Sequence, residues 1–71
     1  MDTNYKMLDR ESILNYLKLH PNCLVDDLRD NSGAEPLRIY PLLFELEAEG
    51  VIQIMERTAW GAPYRIVLLD K

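Results

Sequence analysis

The chain has 71 residues, 48% of them hydrophobic and 28% charged, which is the composition of one small globular domain and not of a disordered tail. Its single cysteine, Cys23, excludes an intrachain disulfide, and the formal net charge of −4 works against binding a polyanion over the whole surface. The longest apolar run, Ile66 to Leu69, falls far short of the ~20 residues that span a bilayer, and no basic-then-apolar leader opens the chain. A cytoplasmic protein without membrane contact is therefore expected.

The charge is uneven. Residues 1–34 carry −2, residues 35–50 carry −3 and residues 51–71 carry +1. Any attraction for nucleic acid must therefore be local to the C-terminal third.

Helix 1 is predicted over 10–19. Asp9 is a candidate N-cap, and Leu8 with Ile13 has the spacing of a hydrophobic staple. Ile13, Leu14 and Leu17 make its stripe with Tyr16 beside it, and Pro21 stops it near Leu19. Asn22 to Val25 is too short for more than a one-bridge strand. A short helix follows over 26–31, with Asp26 and Asp27 in its favourable first turn and Gly33 suited to a left-handed C-cap. Pro36 permits a third helix over 36–49, where Ile39, Leu42, Leu43 and Leu46 fall at i, i+3, i+4 and i+7. Gly50 closes it. The period then changes. Val51 to Met55 and Tyr64 to Leu69 are rich in β-formers, and Gly61 and Pro63 mark a turn between them, so a hairpin is predicted.

Three helices and a hairpin in this order, with Leu28 five before Gly33, Ile39 and Leu42 buried on helix 3, and Leu46-x-x-x-Gly50-x-Ile52 leading into the strands, resemble the winged helix-turn-helix superfamily. Gly61-Ala62-Pro63-Tyr64-Arg65-Ile66 is similar to the wing return of many bacterial regulators. The resemblance covers residues 10–69 of a single domain over 1–71. It implies an α+β fold, a three-helix winged helix-turn-helix with a C-terminal β-hairpin wing. It also implies a small DNA-binding transcriptional regulator acting as a homodimer on a two-fold site. Three positions depart from the pattern. Arg29 stands where the family keeps alanine, Leu24-Val25 where it offers a Ser or Thr cap, and Pro41 lies inside helix 3.

No catalytic residue, metal site or cofactor is expected. His20 and Cys23 supply two metal ligands where zinc needs four, Asp26, Asp27 and Asp30 read as a solvated face, and no serine or threonine has an activating partner. Helix 3 divides the functional readings. At 100° per residue its core face centres on Ile39 and Leu46, while Leu37, Phe44 and Ala48 lie opposite, flanked by Tyr40 and Pro41. The DNA-binding candidates are Arg38 and Tyr40 on helix 3 and Arg57, Trp60 and Arg65 on the wing. Glu35, Glu45, Glu47 and Glu49 oppose phosphate. The alternative is a winged-helix interaction or dimerisation module with little or no DNA binding, using Leu37, Tyr40, Phe44 and Ala48 as its interface. A third option for Phe44 is burial under the wing or against Tyr5, Met7 and Leu8.

Overall fold

The computed structural model describes residues 5–69; the ends of the expected domain, residues 1–4 and 70–71, lie outside the described residues. The architecture is α+β, with helices α1 (Tyr5–Leu19), α2 (Val25–Asn31) and α3 (Pro36–Ala48) and strands β1 (Asn22–Leu24), β2 (Ile52–Arg57) and β3 (Pro63–Leu68). The strands form one antiparallel sheet in the order β1-β3-β2.

Helix α1 starts five residues before its expected position. Asp9 is consequently not an N-cap but a residue within the helix, and Leu8 is exposed, so no staple forms. Asp9 has a different partner set. Its Oδ2 accepts from Arg38 Nη1 at 2.8 Å and its Oδ1 from the Glu35 amide at 3.3 Å. Glu35 is the N-cap of α3, directly before Pro36, so a carboxylate from α1 meets the positive end of the α3 dipole. Ile13 and Leu17 are fully buried, and Leu14 and Tyr16 pack against the core, as the helix 1 stripe required.

The segment after Pro21 pairs more fully than expected. Asn22, Cys23 and Leu24 lie opposite Val67, Ile66 and Arg65, which makes a third strand of what read as a single bridge. Helix α2 follows at once, from Val25 and without a side-chain cap at Leu24. Arg29, at the position that departs from the family pattern, turns its guanidinium out to Asp26 at 3.2 Å and Asp30 at 3.8 Å. Gly33, between α2 and α3, has φ +85°, a conformation that L side chains rarely adopt. Ala34 beside it is buried, and its amide donates to Ser32 Oγ.

Helix α3 carries the core. Ile39, Leu42, Leu43 and Leu46 are all buried and meet Ile13, Leu17, Leu28, Ile52 and Ile66 in one cluster. The helix runs through Pro41, which has no N–H to give the Leu37 carbonyl. Pro41 sits on the exposed side of the helix. The β2–β3 pairing shifts register between Ile54 and Arg57, and β2 runs two residues beyond Met55, the end read from the sequence. Thr58 organises the tip. Its amide donates to the Ala62 carbonyl, and its Oγ1 accepts from the amides of Trp60 and Ala62.

Candidate functional site

The face of α3 turned away from the core is the largest unexplained feature of the surface. Leu37 is 86% exposed, Tyr40 37% and Phe44 44%, with Pro41 and Ala48 also exposed between and beyond them. These residues sit at i, i+3, i+4, i+7 and i+11, an apolar stripe as regular as the buried one on the other side. Phe44 is covered over only about half of its surface. Tyr5, Met7 and Leu8 are themselves exposed, and Tyr5 instead receives the Arg38 guanidinium over its ring at 5.5 Å.

Charges border the stripe on both sides, and each is matched within the chain. On one side Lys6 reaches Glu45 at 2.9 Å and Arg38 holds Asp9. On the other, Arg57 from β2 lies 3.4 Å from Glu47 and also donates to the Gly61 carbonyl. At the C-terminal end Arg10 makes two bonds to Glu49, at 2.6 and 3.1 Å. Hydrogen bonding to Arg10 is the main reason the Glu49 carboxyl titrates below its ordinary range, and the same bond raises the Arg10 guanidinium. The stripe is thus apolar along its centre and neutralised along its edges. Between α1 and α3 a groove of about 270 Å³ runs beside it, lined by Lys6, Leu37, Arg38, Pro41, Leu42 and Glu45.

The DNA-binding candidates do not form one patch of unpaired positive charge. Arg65 bonds to Glu56 at 2.7 Å and to Asn22 Oδ1 at 3.3 Å, so all five arginines, Arg10, Arg29, Arg38, Arg57 and Arg65, sit against carboxylates. Trp60, in the loop between β2 and β3, is 95% exposed. The pairs differ in strength. Asp9 is only 9% exposed, whereas both partners of the Arg57 and Arg65 pairs lie in solvent, where such contacts are worth about 0–1 kcal/mol. Phosphate can compete for Arg57 and Arg65 far more readily than for Arg38.

Elsewhere the chemistry is sparse. Among the described residues no group of three or more His, Cys, Asp or Glu is placed to hold a metal ion, and no helix is long and apolar enough to cross a membrane. Cys23 is buried as a free thiol, and desolvation is the first cause that pushes its ionisation upward, away from a reactive thiolate. His20 stacks on Tyr16 with ring centroids 4.6 Å apart. The residue that sequence reasoning misplaced is Asp9. Its function is to fix Arg38 and the start of α3, and only a contact across 29 positions could reveal that.

In comparison with known proteins, no family model, no curated protein and no solved structure matches this chain.

Proposed function

We propose that the chain is a winged-helix module whose third helix docks a protein instead of reading DNA. The α1-β1-α2-α3-β2-β3 order, with β2–β3 as the wing and the α2–α3 turn at Gly33, supports the winged-helix reading. One observation carries the functional half. The face of α3 that would enter a major groove presents Leu37, Tyr40 and Phe44, while its one arginine is held by Asp9. Base edges are read by exposed amides and cations, and an apolar stripe with matched edges offers none of them. Such a stripe is what a protein partner covers.

A second reading, duplex contact through the wing in a DNA-binding regulator, draws support from Trp60 at the tip and from the solvent-exposed pairing of Arg57 and Arg65. Its footprint is small. Three cationic contacts, Arg57, Arg65 and Arg38, give a slope of log K against log salt of about −3 per chain. Titrating duplex DNA at about 50 and about 200 mM salt separates the two readings. Docking of a protein by α3 goes with little or no duplex binding at either salt concentration. Binding at the lower salt that Arg57→Ala removes and Phe44→Ala leaves alone favours the second reading, and tight, sequence-specific binding that survives Arg57→Ala contradicts docking by α3.

A further inference from the structure

We infer that the first two turns of α1, residues 5–12, form a strap that opens from α3 as one unit while the rest of the fold stays closed, and that ion pairs set how often it opens. The two halves of α1 are held differently. From Ile13 onward the helix is fixed by apolar packing, with Ile13 and Leu17 fully buried and Leu14 and Tyr16 against the core. No residue of 5–12 belongs to that core. Asp9 is the one buried residue among them, and Tyr5, Met7 and Leu8 keep half or more of their surface in water. Charge fastens this half instead. Lys6 reaches Glu45 at 2.9 Å, Asp9 holds Arg38 at 2.8 Å and Arg10 meets Glu49 at 2.6 Å, three ion pairs along one side of α3. Arg38 also lies over the Tyr5 ring.

The fastening is weak by its nature. The Lys6 and Arg10 pairs are open to solvent, and each pair of that kind shifts an equilibrium by about fivefold at most and weakens with salt. The first turn contains Lys6 and no acidic residue, so its own charge opposes the positive end of the helix dipole. Segments with few buried apolar contacts are the ones that open below the free energy of global unfolding. Opening changes what α3 presents. In the closed state Lys6 walls the groove of Leu37, Pro41 and Leu42, while Asp9 holds Arg38 and accepts from the Glu35 amide. Once the strap lifts, the groove loses that wall, Arg38 loses its carboxylate, and the apolar face of α3 broadens toward Leu42. A partner that prefers the broadened face holds the strap open, and one that needs the closed edges keeps it shut. None of this depends on what α3 docks, so a strap that stays shut leaves the docking reading standing.

Native-state hydrogen exchange of the unmodified chain tests the strap. The amides of residues 9–12 donate to carbonyls of residues 5–8 and report on it, while those of Leu17, Leu43 and Leu46 report on the core. The Glu35 amide, 26 residues from its acceptor Asp9, reports from across the contact. With urea raised to about 1 M, residues 9–12 are expected to exchange through an opening nearly independent of urea, and Leu17, Leu43 and Leu46 with the full urea slope of global unfolding. Residues 9–12 and Glu35 should share one opening constant to within about threefold. Raising NaCl from about 50 mM to about 1 M should increase that constant at least about fivefold. A urea slope at residues 9–12 equal to that of Leu17 makes the segment part of the core and overturns the strap. Opening constants that fall in steps from residue 9 to residue 12, with Glu35 out of step, show end fraying and overturn it as well. So does an opening indifferent to salt.

Discussion

Helix α3 has two faces of almost equal hydrophobicity and opposite fates. Ile39, Leu42, Leu43 and Leu46 are buried to within 1% of complete, while Leu37, Tyr40 and Phe44 keep from 37% to 86% of their surface in water. The apolar pattern alone does not distinguish them. Topology does: α1, α2 and the sheet pack on one side, while Lys6 near the start of α1 and Arg57 at the loop end of β2 reach the edges of the other. The inner face therefore holds the fold together, and the outer face is left available for association. A residue's contribution to stability and its contribution to binding should separate cleanly along this one helix.

Breaking the inner face has the largest effect. Leu43→Ala opens a cavity in a fully buried site and costs about 2–5 kcal/mol, from a total near 4–11 kcal/mol for a chain of this length. Urea unfolding of that variant is expected to show its midpoint moved to a much lower urea concentration. Asp9→Ala comes next. It strips the Glu35 amide and Arg38 of their acceptor and is expected to cost about 1–3 kcal/mol, with Asp9→Asn losing less. Gly33→Ala, which crowds no neighbour but requires φ +85°, costs about 1–2 kcal/mol in the same assay. Phe44→Glu on the outer face gives up the covered half of its ring, costs about 1 kcal/mol, leaves the chain folded and acts chiefly on association. If Phe44→Glu unfolds the chain, the two faces are not different in kind.

The smallest effect lies at the C-terminal edge of the stripe. The Glu49 carboxyl is held below its ordinary value near 4.5 by Arg10, so folding favours the ionised form. The stabilisation is present above that ordinary value and is lost as the pH falls through the depressed one. Glu49→Gln should therefore flatten the acid side of the stability profile and leave neutral pH nearly unchanged.

Local patterns made the inner face legible. The i, i+3, i+4, i+7 series from Ile39 named four buried residues, and Gly33, Gly50 and Gly61 marked turns that all take positive φ. The misreadings have a common cause. Asp9 looks like a helix cap because Asp before an apolar stripe usually is one, yet its partners lie on α3. The β1 strand looked negligible because its pairing residues, Arg65 to Val67, are at the far end of the chain. The candidate site was half legible. Placing Leu37, Tyr40, Phe44 and Ala48 on an outward stripe followed from the helical period, whereas the pairing of each bordering charge depends on how α1 and the wing fold against α3.

Amide chemical shifts followed as the chain is concentrated from about 20 µM to about 1 mM report most directly on whether α3 is the docking face. The expected result is progressive movement of Leu37, Tyr40, Phe44, Glu45 and Ala48, with Lys6 moving alongside and the wing tip around Trp60 unchanged. Shifts that stay constant exclude a second copy as the occupant, and shifts that gather on the β2–β3 hairpin while α3 stays still would contradict α3 as the docking face.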